Sequence, residues 1–157
     1  MLRFRPMAAV LLATLAACGD ITGLDHLTIN VALSRNKMMS GDTTTVVVRF
    51  TNTGSAPIDL YLFCRHLFEV ANTDGEIVAG REPLICVAIV RGPEMLGPFQ
   101  SLERRFSWTA RFSEQIGDTL ITGPLPPGTY QVYGKVNERR SAPIMLELDP
   151  RVPAPQS

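Results

Sequence analysis

The chain has 157 residues, with 15 Lys and Arg against 15 Asp and Glu, so its formal net charge at neutral pH is zero. Such a balance offers no basic field for nucleic acid. With 45% apolar residues, 12 glycines and 12 prolines, the composition suits a globular domain of short strands and many turns rather than a disordered or fibrous chain.

The first eighteen residues have the layout of an export signal. Arg3 and Arg5 make a basic start, Met7 to Ala17 is an apolar run, and Leu15-Ala16-Ala17-Cys18 closes it. An apolar run of 11 residues falls short of the roughly 20 needed to span a bilayer. The tetrapeptide ending in Cys18 resembles a bacterial lipobox. That resemblance implies acylation of the Cys18 thiol, cleavage before it, and a mature chain of 140 residues attached to membrane lipid. The alternative is a plain signal peptide cut after Ala17, with Cys18 left as an ordinary thiol. By the same resemblance, an aspartate directly after the cysteine implies retention in the inner membrane of some two-membrane bacteria; position 19 is Gly, so if the cell has two membranes the outer one is the favoured destination.

Residues 18–26 read as a tether, residues 27–149 as one β-sandwich domain, and residues 150–157 as a Pro-rich tail. From Leu27 to Leu33 apolar and polar residues alternate, the period of a half-buried strand. Ser34 to Gly41 reads as a polar connection. Thr43 to Asn52 is the clearest strand, with Val46, Val48 and Phe50 facing in and Thr45, Arg49 and Thr51 facing water. Asn52-Thr53-Gly54-Ser55 breaks it as a turn. Ile58 to Cys64 becomes apolar on both faces and reads as a central strand. Phe68–Val70 and Glu76–Val78 flank a Thr73-Asp74-Gly75 hairpin turn, and Leu84 to Val90 is another apolar run. Glu94-Met95-Leu96 reads as a loop segment covering an edge. In the strand Ser101 to Trp108, Phe106 and Trp108 share the inner face with Arg104, which therefore belongs near a rim. Ala110 to Leu125 is the least regular stretch. After the hard turn Pro126-Pro127-Gly128, Tyr130, Val132, Gly134 and Val136 share one face, with Gln131, Tyr133 and Lys135 opposite. Asn137 to Ala142 is a polar tip, and Ile144, Leu146 and Leu148 form the last strand. No segment holds helical periodicity with caps. About eight short strands at regular spacing predict an all-β antiparallel β-sandwich; Trp108 would sit between the sheets and Tyr130 is placed for a tyrosine corner, with simple core filling the plainer reading of both.

Of the three cysteines, Cys18 is assigned to lipid. Cys64 and Cys86 remain as an even pair in an oxidising compartment, which favours a disulfide. Two free buried thiols, or a metal site using Cys64, His66 and Cys86, are the alternatives. The second lacks a CxxC pair, so its spacing is weak for a metal. The two histidines, His26 and His66, complete no nucleophile–base arrangement, and no nucleophile elbow, phosphate loop or cofactor motif is present. Asp59, Glu69, Glu76, Glu103 and Glu147 are scattered on outward faces. The pattern therefore predicts a non-catalytic binding domain without a cofactor, its expected contact patch near Tyr61, Phe63 or Tyr133.

The succession Val48-Arg49-Phe50-Thr51-Asn52-Thr53, Phe68-Glu69-Val70, Asp74-Gly75, Phe106-Ser107-Trp108 and Leu125-Pro126-Pro127-Gly128-Thr129-Tyr130-Gln131-Val132-Tyr133-Gly134 resembles the BsuPI-like intracellular proteinase inhibitor domain. The resemblance spans residues 42 to 148. It implies an immunoglobulin-like sandwich that binds a protein, with a serine proteinase as the partner. Export, lipidation and the Cys64–Cys86 pair depart from the cytosolic setting of that family. Arg139-Arg140, on the expected hairpin tip, is the candidate partner-binding pair for a trypsin-like pocket. A solvated charged turn is the plainer reading of the same two residues.

Overall fold

The computed structural model describes residues 24–60, 67–80, 94–116 and 119–150. Among the described residues, a single 3-10 turn, Leu24–His26, leads into thirteen strand segments. They are β1 (Leu27–Leu33), β2 (Lys37–Met39), β3 (Thr43–Asn52), β4 (Ile58–Leu60), β5 (Phe68–Ala71), β6 (Ile77–Ala79), β7 (Glu94–Leu96), β8 (Ser101–Thr109), β9 (Arg111–Ile116), β10 (Thr119–Pro124), β11 (Gly128–Val136), β12 (Arg139–Arg140) and β13 (Ile144–Asp149).

Two sheets form the sandwich. The first has the order β1-β3-β8, and the second β2-β13-β11-β5-β6 with β12 added to β11. This is an immunoglobulin-like strand order, the opening segment being shared between the sheets as β1 and β2. All the pairings are antiparallel except β2 on β13, where Met38 lies beside Leu148 in parallel. The predicted polar connection 34–41 thus contains a strand, too short at three residues to show a period.

Alternation decides which side chains enter the core. In β3, Thr44, Val46, Val48, Phe50 and Asn52 are buried while Thr43 and Arg49 are exposed. In β11 the buried set is Tyr130, Val132, Gly134 and Val136. Val46, Val48, Phe50, Val132, Val136 and Leu146 have at most 1% of their surface exposed, and burial of each such side chain contributes about 1.5–3 kcal/mol. The sheets approach closely at Gly134. A Cβ there would lie 3.0 Å from Val48 Cγ1 and 3.1 Å from Ile29 Cγ2, so glycine sets the local spacing. Further along, Phe68 of β5 bridges the sheets, its ring centroid 5.6 Å from Phe106 and 6.0 Å from Trp108 of β8. Arg104 shares that inner face, as its pairing with Val48 shows. It reaches the rim and pairs with Glu94 of β7.

The β5–β6 hairpin forms at the expected turn. Asn72 Oδ1 accepts the amide N–H groups of Asp74 and Glu76 at 3.0 and 2.9 Å, and Gly75 takes φ 84°, where a side chain would be strained. Three expectations are corrected. Ile58–Leu60 pairs with Glu94–Leu96 in a separate two-stranded ribbon, so the former is not a central strand of either sheet and the latter is a strand and not a loop segment. The stretch 110–125 is a regular hairpin, β9–β10, with six register pairs from Arg111↔Pro124 to Ile116↔Thr119.

Candidate functional site

Cys18, Cys64, His66 and Cys86 lie outside the described residues, as do Tyr61 and Phe63 of the expected contact patch. Among the described residues no group of three or more His, Cys, Asp and Glu is placed to hold a metal ion.

The tip arginines lie on β12, where Val136 pairs with Arg139 and Lys135 with Arg140. Both turn back onto their own domain. Arg139 Nη1 donates to the Leu24 carbonyl. Arg140 sits 5.5 Å from the centroid of the Tyr133 ring and places Nη2 2.7 Å from Glu69 Oε2. The geometry there is not that of a hydrogen bond, so the contact is electrostatic. Glu69 Oε1 accepts from Lys135 Nζ. Glu69 is on the outward side of β5, opposite Tyr133, yet is 4% exposed. The expectation of a plain outward carboxylate is corrected at this position: two cations and a tyrosine cover it. Burial of a carboxylate is tolerated because the charge is paired. Chemically the cluster ties β5, β11 and β12 together and shapes the outer face of the second sheet.

The outer face of the first sheet is different. Thr43 and Thr109 hydroxyls meet at 3.0 Å, and Thr51 and Ser101 at 2.9 Å. Between these rungs Glu103 accepts from Arg49 Nε at 3.0 Å and from Arg105 Nη2 at 3.0 Å. Hydrogen bonds from Arg49, then Arg105, hold the Glu103 carboxyl below the usual carboxylate range. A shallow depression of about 240 Å³ is lined by Asn30, Val31, Ala32, Val47, Arg49 and Glu103.

The third surface, missed in the sequence, is built from Asn52. This residue ends β3 and is fully buried. Its Nδ2 donates to the carbonyls of Ala56 at 2.7 Å, Leu96 at 3.1 Å and Gly97 at 3.1 Å. Its Oδ1 accepts the Gly54 amide at 2.9 Å, and its own amide donates to the Gln100 carbonyl at 2.9 Å. One side chain therefore braces two loops. The braced turn is Gly97-Pro98-Phe99-Gln100, closed by Gln100 N–H to the Gly97 carbonyl at 3.2 Å and by Gly97 N–H to Gln100 Oε1 at 3.0 Å. Proline followed by positive φ is the pattern of a type II turn, whose third position calls for Gly or Asn. Here it holds Phe99 at φ 58°, with 74% of its surface exposed. Met95, on β7, is 59% exposed. Tyr133, the expected patch residue that is described, is half-buried beneath Arg140.

With the geometry in place, comparison with known proteins adds little. No protein-family model matches the chain, and no curated protein does. Among solved structures, it is similar to a chain described as Pseudomonas fluorescens alkylpurine DNA glycosylase AlkC bound to DNA containing an abasic site analog. The TM-score is 0.43 at 13% identity, over 78% of this chain and 30% of that one. A likeness of that degree carries no argument about function.

Proposed function

We propose that this chain is a lipid-anchored envelope protein whose immunoglobulin-like sandwich is a non-catalytic protein-binding module. The observation that carries the reading is Cys18 placed directly after the apolar run 7–17 and the small residues Ala16-Ala17. The short tether 18–26 then leads into an all-β body. That fold supplies edges and loops for contact, and its charged side chains at Glu69, Glu103 and Glu147 are committed to ion pairs. In this reading the acylated protein resides at the outer membrane where two membranes exist. The expected result on mass spectrometry of the membrane-extracted protein is an N-terminal Cys18 carrying a diacylglycerol adduct. Replacing Cys18 with Ala should move the protein from the membrane to the soluble fraction. Retention of Cys18→Ala in the membrane would sink the anchoring reading.

A second reading, inhibition of an envelope serine proteinase, draws on the resemblance to the BsuPI-like domain. The braced, protruding turn at Gly97–Gln100 favours it, because an inhibitor needs a rigid loop that enters a cleft. Titration against a panel of serine proteinases separates the two: stoichiometric loss of activity supports inhibition, and an unaffected panel removes it.

A further inference from the structure

We infer that the Phe99 turn is a second, non-covalent membrane contact, which seats the anchored domain with this end against the lipid headgroups. The inference rests on the anchoring proposed above and adds an orientation to it. The ladder places the turn beside the point where the tether enters the domain. The His26 carbonyl accepts the Thr53 amide at 2.8 Å, and the neighbouring Asn52 amide donates to the Gln100 carbonyl at 2.9 Å. His26 and Gln100 are thus two strand spacings apart, roughly 10 Å. Cys18 precedes Leu24 by six residues, a contour of at most about 20 Å. Acyl chains at Cys18 therefore hold this end of the sandwich within reach of the bilayer surface.

The side chain that this end presents suits that surface. Phe99 is an exposed aromatic on a turn that its backbone conformation disfavours, and Asn52 and Gln100 hold it there. A positive φ on a bulky residue is a strained choice. Its effect is to point an apolar ring outward where Gly or Asn would close the turn without strain. Pro98 is also exposed, and Met95 adds a second exposed apolar side chain on the adjoining strand. Phe, like Trp and Leu, is a residue of the apolar faces that rest in the headgroup–acyl boundary, so an added apolar contact beside the acyl anchor fixes the orientation of the domain. The charges on the same end, Asp25 and Glu94 against Arg104 and Arg139, balance and offer no net attraction to anionic lipid. The contact is therefore apolar and insensitive to salt.

The test uses the full acylated protein reconstituted into phosphatidylethanolamine–phosphatidylglycerol vesicles containing brominated lipid. Phe99→Trp in a Trp108→Phe background reports from the turn. Its emission is expected to fall by roughly two-fold or more with brominated lipid, as for a ring at the interface, and to do so equally at high salt. Trp108 of the unsubstituted protein, partly buried against Phe68, should not be quenched. Hydroxyl-radical labelling of the unsubstituted chain repeats the test without a variant. On vesicles, labelling of Phe99 and Met95 should drop relative to Ile121 and Met145, which are exposed elsewhere. If the protein floats with the vesicles and neither probe responds, the orientation is wrong while the anchor stands. If it carries no acyl group and stays off the vesicles, both readings fall together. Labelling of Phe99 that drops only when a soluble envelope extract is added would overturn the lipid contact in favour of a protein partner.

Discussion

Two proline-led turns sit at opposite ends of the sandwich and treat their aromatic residue in opposite ways. At one end, Pro126-Pro127-Gly128 leads into β11, and Tyr130 folds inward. It is 6% exposed, and its hydroxyl donates to the Pro126 carbonyl at 2.8 Å. This is the tyrosine corner of immunoglobulin-like domains, with the ring in the core and the hydroxyl tying down the turn. At the other end, Pro98 leads into Phe99, whose ring points to solvent on a left-handed backbone. The first turn is stabilised by its aromatic residue. The second is held against the preference of its own residue by Asn52, a side chain from another strand. An aromatic that contributes nothing to the core and sits on a strained backbone is placed for contact, whereas Tyr130 is placed for the fold.

The largest effect should come from removing the brace. Asn52→Ala leaves the Gly54 amide and the carbonyls of Leu96 and Gly97 without their partner in a buried setting. The expected loss is about 3 kcal/mol of stability by denaturant unfolding, with faster amide exchange in residues 97–100. An unchanged midpoint would show that the turn holds itself.

A smaller loss is expected at the other end. Tyr130→Phe keeps the buried ring and removes one hydrogen bond, for a loss of about 1 kcal/mol. Burial pushes the Tyr130 phenol above its ordinary value of 10.0, which gives the pair of proteins a pH signature. Below pH 10 both folded and unfolded chains keep this proton, and its contribution to stability is fully present. As pH rises past 10 the unfolded chain ionises first, so stability falls until the raised folded value is passed. The difference between the unsubstituted protein and Tyr130→Phe should shrink across that window. A difference that stays constant to pH 11.5 would mean the ring is not desolvated.

The smallest effect has the opposite sign. Phe99→Gly relieves the positive φ and gives back some backbone entropy to the unfolded chain, for a net gain of about 0.5 kcal/mol. A clear loss of stability would show that Phe99 packs against the domain and would erase the contrast between the two turns.

Where alternation was strong, the elements were legible without the structure. β1 and β3 run over the residues that the apolar period marks, Leu27–Leu33 and Thr43–Asn52. The inner face of β11, the rim position of Arg104 and the hairpin turn at Asp74-Gly75 were readable from spacing, while at Tyr130 core filling was the plainer reading and the bond to the Pro126 carbonyl is what makes it a corner. The β9–β10 hairpin was not, because Arg111 to Pro124 mixes polar and apolar residues with no clear period. The parallel β2 was not, because a three-residue strand carries no pattern of its own.

The contact residues divide in the same way. The residues of this chain alone determine the all-β class, the inward faces of its long strands and the lipobox-like Cys18, since each depends on neighbours in sequence. Tertiary structure decides the rest. The Asn52 side-chain bonds join residues up to 45 positions apart, and the Lys135–Glu69 pair spans 66. No local pattern reports such distances. Cross-strand pairing of β5, β11 and β12 turns Glu69 into a buried ion pair and draws Arg140 back onto the domain, and the bonds of Asn52 to the loop carbonyls leave Phe99 standing out from its turn.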